Sequence, residues 1–284
     1  MNAYIALLIT LILFSTIEVA VKMLGNAIDP LMLASIRFIV SGAVMLPFCK
    51  INLLKLSKKE IFGFTFAAAV GIAGCFIPYH KGVPQMSASS AALIFCLNPI
   101  FAVATARILL KEKFSRKIII GLFLGISGVY ISTYGFSVPQ FSQAYPSILL
   151  LIASIAFGIY TASSKWLVAK YSSVSVAAVV FTFGGLLMLP FVRNWEMPTD
   201  FYSVSIIIYL VFAATAVGYL CFFHALKKVS VAAGSSLFFF KPILAAFFSF
   251  LILHETLTVT YFLGMAVSLL SLFVILYAKG DKNY

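Results

Sequence analysis

The chain has 284 residues, 63% of them hydrophobic and 10% charged, with a formal net charge of +12, whereas soluble domains run near half apolar and about a quarter charged. Composition alone marks an integral membrane protein. The positive charge does not point to nucleic acid, because the basic residues fill short gaps between apolar runs rather than one polar stripe.

A bilayer core about 30 Å thick takes roughly 20 apolar residues of helix per crossing. Ten runs meet that need, near residues 3–22, 31–49, 60–80, 87–110, 117–135, 145–168, 174–192, 202–226, 231–253 and 258–278. The first lacks a basic leading region and is nearly a full span long, so it reads as a retained helix and not a secretory signal. Connecting loops are too short for a soluble domain, and the GxxxxGK[ST] phosphate loop of an ATP-driven pump is absent. Four cysteines, Cys49, Cys75, Cys96 and Cys221, stand singly without CxxC spacing, so no metal or cofactor is expected. No enzymatic activity is expected either.

In chain order, the first span carries Glu18 and Lys22, four apart and able to pair on one helix face. Glu18 is a candidate proton-coupling group or a structural lock. Lys22 lies near the membrane surface, where it can extend its ammonium to the interface, and Arg37 on the second span reads as a structural charge. The third span ends in Pro78, Tyr79, His80 and Lys81. His80, and His224 on the eighth span, are coupling candidates because imidazole titrates in the working pH range. In the fourth span Asn98 precedes Pro99 at mid-depth, and the proline deprives the Phe95 carbonyl of its helical hydrogen bond. Glu112 closes that span beside Lys111 and Lys113, a position suited to loop hydrogen bonds. The fifth span contains GLFLGISG, a small-residue face for close helix packing.

The ninth span repeats the fourth. Lys241 precedes Pro242 about ten residues in, near the bilayer centre, where a charge costs about 2.5 to 3.5 kcal/mol and faces a cavity or a partner. It is suited to holding a carboxylate or phosphate, or to pairing with Glu18. Glu255 ends the span as Glu112 ends the fourth.

With the N-terminus in the cytoplasm, the inner loops hold fourteen of the twenty Lys and Arg, and the outer borders hold only Lys22, Lys81 and Arg193. The positive-inside rule then places both termini in the cytoplasm. A shift of 143 residues pairs Pro99 with Pro242, Glu112 with Glu255, Gly121 with Gly264 and MLPF at Met45–Phe48 with MLPF at Met188–Phe191. Residues 1–140 and 141–284 thus read as two five-span repeats, and the odd number inverts the second. Inverted repeats underlie many secondary transporters, with the substrate site at mid-membrane.

Phe14, Ser15, Lys22, Pro30 and Arg37, and the block SASSAALIFCLNPIFAVATARILLKEKFSRKIIIGLFLGISGVYI with its echo VAAGSSLFFFKPILAAFFSFLILHETLTVTYFLGMAVSLLSLFVIL, resemble the EamA-type, ten-span members of the drug/metabolite transporter superfamily. Phe-Ser stands where the family has Trp-Gly. The resemblance implies an inner-membrane protein with a cavity lined by the first, third and fourth spans and their partners. Tyr79 and Tyr219 would line it. The expectation is an all-α protein of ten transmembrane helices that carries a small polar or amphipathic metabolite by alternating access. An amino acid or other carboxylate is favoured by Lys241, export is the direction, protons are the candidate coupling ion, and Lys241, Asn98, Tyr79 and Tyr219 would bind substrate. A lipid-linked carrier or flippase, or a nucleotide-sugar or drug carrier of the same superfamily, is the alternative.

Overall fold

The computed structural model describes residues 1–52, 55–109, 116–137, 141–229, 231–235, 238 and 240–277. Among the described residues every regular element is helical. Seven helices are long and apolar enough to cross a membrane: Ala3–Leu24, Pro30–Phe48, Lys58–Gln85, Ala88–Ala106, Ala144–Lys170, Ser173–Phe191 and Phe201–Lys228. The other three runs expected from the sequence contain shorter or partly described helices, α8 (Arg116–Tyr134), α14 (Lys241–Leu253) and α15 (Val259–Tyr277). Large apolar side chains such as Phe123, Phe247, Phe250 and Phe273 are exposed around the perimeter, as lipid-facing helices require. Backbone polar groups have no water to bond in hydrocarbon, so helices that satisfy themselves are the solution available to this composition.

Five of the ten expected spans are not continuous helices. The first is α1 (Ala3–Ser15) and α2 (Ile17–Leu24), broken at Thr16. The third is α4 (Lys58–Phe66), a π-helical stretch at Ala67–Ala73 and α5 (Gly74–Gly82). The fourth is α6 (Ala88–Phe95) and α7 (Asn98–Leu109), with a turn at Cys96 and Leu97. The eighth repeats the third as α11 (Phe201–Ile208), a π stretch at Tyr209–Val217 and α12 (Gly218–Lys228). The ninth comprises α13 (Val231–Ser235) and α14, which opens on Lys241. The unbroken spans are α3 (Pro30–Met45), α9 (Phe141–Lys170) and α10 (Ser173–Met188), besides α8 and α15. Both MLPF segments leave their helices through a single 3₁₀ turn, at Leu46–Phe48 and Leu189–Phe191, because proline cannot continue the α-helical ladder.

Capping fixes where spans begin. Asp29 accepts from the Leu31 and Met32 amides at the start of α3, Ser57 and Glu60 form a reciprocal capping box at α4, and Asp200 caps α11 through Ser203. Hydrogen bonds from Ser203 hold the Asp200 carboxyl below its ordinary range. The bundle has two ends. At one, called the Asp29 end, the α2–α3 turn, the end of α5 and the start of α6 meet, since Lys22 reaches the Pro84 carbonyl and Glu255 reaches Ala88. At the other, the Met1 end, Met1 meets α12 and the Lys50 amide meets Ser175. There Glu60 accepts from Lys170 and from Tyr171, whose hydroxyl is pushed up to about 12 by burial and by that bond.

Helices α8 and α15 pack side by side, as do α3 and α10. A Cβ at Gly128 would collide with Ser268 and the Gly264 carbonyl, and one at Gly264 with Gly128 and Ser132, so these glycines set the α8–α15 approach. The centre is built by α1 on α12 and α14, and by α9 on α5 and α7.

Candidate functional site

Lys241 is the first residue of α14, and Glu18 lies in the first turn of α2. Each therefore projects from a helix terminus created by a break, where a side chain is free to turn inward. The Lys241 ammonium is ion-paired with Glu18 Oε1, and both residues are inaccessible, at 1% and 0% exposure. Above the ammonium, the Phe95 ring centroid lies at 5.0 Å, a cation–π contact. Glu18 Oε2 has no hydrogen-bond partner. Lys22 is drawn away from Glu18 and donates to the Pro84 carbonyl at 3.5 Å. The expected pairing within the first helix is thus replaced by one across the two halves of the chain.

Asn98 is the first residue of α7, at the place in the fourth span that Lys241 takes in the ninth. Its Nδ2 donates at 2.8 Å to the Phe95 carbonyl, which also accepts from Ser154 Oγ at 3.1 Å. The carbonyl freed by Pro99 is therefore satisfied by the adjacent amide and by α9. Asn98 Oδ1 is left without a partner in a fully buried position.

Arg37 is the largest fully buried side chain of the group. Its Nε donates to Thr215 Oγ1 at 3.1 Å, its Nη1 meets His80 Nε2 at 3.1 Å, and its Nη2 has no partner. A guanidinium only donates, so His80 Nε2 must accept. His80 Nδ1 then carries the proton and donates to the Phe76 carbonyl at 3.1 Å. That bonding fixes His80 as the neutral Nδ1–H tautomer. Sequence reasoning placed Arg37 among the structural charges, whereas the structure brings it to the centre. Its acceptor Thr215 sits in the π stretch and itself donates to the Leu210 carbonyl, five residues back, at 2.7 Å. No sequence signal marks that stretch, and Thr215 and Ser154 were not foreseen.

Tyr79 is buried with its ring 5.0 Å from that of Phe95 and 5.1 Å from that of His80, and Glu18 and Arg37 are its charged neighbours. Tyr219 is buried against Phe14 at 4.8 Å and Phe181 at 5.0 Å, so Phe14 fills the place next to the tyrosine. His224 is not brought to the centre. It lies one turn from the C-terminus of α12, at the Met1 end, where its Nε2 meets the Met1 carbonyl at 3.1 Å. Glu255 accepts from the Ala88 and Ser89 amides at 2.7 and 3.3 Å and from Ser89 Oγ at 2.9 Å, which ties the end of α14 to the start of α6. Glu112 lies outside the described residues.

Among the described residues of the centre one acid, Glu18, stands with two basic side chains, Lys241 and Arg37, and with the neutral tautomer of His80. Among these residues basic groups outnumber acidic ones by one, in a place where uncompensated charge is costly. The unpartnered buried atoms among the described residues include two acceptors here, Glu18 Oε2 and Asn98 Oδ1, and one donor group, Arg37 Nη2.

The sequence matches the EamA-like transporter family twice, over residues 1–134 and 145–277. An uncharacterized transporter of Clostridium kluyveri is 26% identical over 99% of this chain and 94% of its own length. A probable terminal-alkyne amino-acid exporter of Streptantibioticus cattleyicolor is 22% identical over 69% of this chain and 67% of its own. One solved crystal structure aligns over 99% of both chains with a TM-score of 0.71 at 14% identity, a likeness of fold. The chain belongs to the EamA-like transporter family, within the drug/metabolite transporter superfamily, and is a multi-pass membrane protein.

Proposed function

We propose that the protein is a secondary active transporter of ten spans, in two inverted five-helix repeats, that exports an amino acid or related small carboxylate across the inner membrane by alternating access. The observation that carries the substrate class is the excess buried cation together with its unpartnered neighbours. A carboxylate finds donors in Arg37 Nη2 and Lys241, which neutralises the excess charge when the solute is a net anion, and the ammonium group of a zwitterionic amino acid finds acceptors in Glu18 Oε2 and Asn98 Oδ1. Tyr79 and Phe95 offer ring surface to the rest of the solute. The name of the Streptantibioticus relative, an amino-acid exporter, supports the same reading.

Two inverted repeats are supported by the double family match and by features recurring about 143 residues apart: the 3₁₀ exits, the π stretches and the helices that begin at Asn98 and Lys241. The packing of α1 on α12 and α14, and of α9 on α5 and α7, is the relation a pseudo-twofold axis produces. The Met1 end carries Lys50, Lys55, Lys58, Lys59, Lys170, Lys227 and Lys228, which supports a cytoplasmic assignment for that end and for both termini.

Coupling to protons is assigned to Glu18. Protonating it releases Lys241 to the substrate carboxylate, and losing the proton restores the buried pair. A lipid-linked cargo is the second reading, favoured by an apolar groove of about 460 Å³ between α4 and α10, lined by Ile61, Phe64, Val179 and Phe183. Uptake of amino acids into proteoliposomes tests the first reading. Lys241→Ala abolishes flux, and Glu18→Gln removes its response to an imposed pH gradient. Wild-type uptake by Lys241→Ala protein would sink the assignment.

A further inference from the structure

At the Asp29 end a separate cleft of about 360 Å³ opens between the start of α3, the end of α5, the start of α9 and the segment after α10. Lys81 and Arg193 line it, and neither has an ion-pair partner among the described residues. Lys22 adds a third cation at its wall, because its ammonium rests on the carbonyl of Pro84, a lining residue. The one carboxylate present, Asp29, is engaged in capping α3 through the Leu31 and Met32 amides. Phe191 and Tyr145 supply exposed ring surface beside the cations. The cleft therefore combines a positive field with an apolar wall.

Its connection to the centre runs along α5. Lys81 follows His80 directly, so one side chain lines the cleft while its neighbour accepts from Arg37 in the buried cluster. The cleft cations Lys81 and Arg193 thus add to the buried Arg37 and Lys241. A cleft lined by one sign of charge concentrates the opposite sign and raises its rate of arrival.

We propose that this cleft is a second binding site, which holds a small, partly apolar carboxylate on Lys81 and Arg193 at the mouth of the pathway that ends at Arg37. It rests on the reading of the centre as an anion site, extending it to a waiting position that is occupied independently. Both cations are at the surface, where a charge pair contributes up to about 1 kcal/mol. Their joint removal weakens binding by about tenfold, and rising salt weakens it as the Debye length shortens.

The test is saturation binding of radiolabelled benzoate to the full chain in phosphatidylcholine nanodiscs. Wild-type protein and Lys241→Asn protein retain a salt-sensitive class of sites, and the Lys81→Gln/Arg193→Gln protein loses that class while its thermal melt is unchanged. That result supports the cleft, whatever becomes of the central site. If the double variant binds as wild type and Lys241→Asn alone loses benzoate, the cleft proposal is overturned and the central reading stands. Absence of benzoate binding to wild-type protein overturns it as well. A last arm adds phosphatidylglycerol to the nanodiscs. If benzoate is then displaced from Lys81 and Arg193, the cleft is a lipid-phosphate site and the proposal fails.

Discussion

The two halves of the chain share a backbone plan, and the charges at the centre belong almost wholly to one of them. Glu18, Arg37, Tyr79 and His80 of the first half correspond, 143 residues later, to Thr161, Val180, Phe222 and Phe223. Only at the broken helix does the second half supply the charge, with Lys241 opposite Asn98. Apolar Phe222, Phe223 and Val180 are all fully buried. The π stretches, the 3₁₀ exits and the breaks ahead of Asn98 and Lys241 are thus what the halves have in common, whereas the break at Thr16 has no counterpart in α9 and the polar constellation also differs.

Making the halves more alike should erase function. Lys241→Asn gives both broken helices the same residue and strands the Glu18 carboxylate in the centre. Removing one partner of a buried pair costs about 3–5 kcal/mol, read as a lower melting temperature, and transport is lost. Adding Glu18→Gln restores most of the stability without restoring transport, since the charges that bind substrate are still missing.

His80→Phe copies Phe223 into the first half. Arg37 Nη1 then loses its acceptor, and an unsatisfied buried donor costs about 1–3 kcal/mol. Proteoliposome kinetics should show kcat/KM falling by about tenfold for each 1.4 kcal/mol lost at the transition state. His80→Gln, which keeps an acceptor, should retain more activity than His80→Phe.

Gly264→Ala perturbs the scaffold instead of the centre. The added methyl meets Gly128 and Ser132, so melting drops by the equivalent of about 1–3 kcal/mol while KM stays unchanged. A shifted KM would mean that α8 and α15 take part in substrate recognition.

The smallest effect separates two caps that occupy equivalent positions, Ser57 at α4 and Asp200 at α11. The folded-state carboxyl of Asp200 is depressed, chiefly by the Ser203 amide. Its stabilising contribution is therefore present above the unfolded carboxyl value, near about 4, and is lost as pH falls through the lower folded value. The protection factor of the Ser203 amide, its exchange measured against the intrinsic rate at the same pH, should fall on that acidification in wild-type protein and not in Asp200→Asn protein.

Much of this architecture was legible in the residue pattern, because hydropathy, proline and repeated spacing are local signals. Pro99 and Pro242 announced the breaks, and Glu18 and Lys241 stood out as charges that hydrocarbon does not tolerate alone. The partners of Arg37 are not legible in the sequence for a physical reason. Its acceptors, Thr215 and His80, come from two other spans, and Thr215 is brought in by a π stretch whose residues, YLVFAATAV, read as ordinary apolar helix. Likewise Ser154 on α9 meets Phe95 only through packing. His224 had the right chemistry for coupling and the wrong depth, since it stands at the Met1 end.

The most direct test of the central claim is equilibrium binding of a panel of amino acids, each beside its carboxamide, to wild-type and Lys241→Asn protein in nanodiscs. The carboxamide keeps the amino group and side chain and removes the anion. The account predicts an amino acid that binds wild-type protein at least about tenfold more tightly than its amide, a gap of about 1.4 kcal/mol, and a gap that closes in Lys241→Asn. Equal binding of acid and amide by wild-type protein, or a gap that survives in Lys241→Asn, would contradict it.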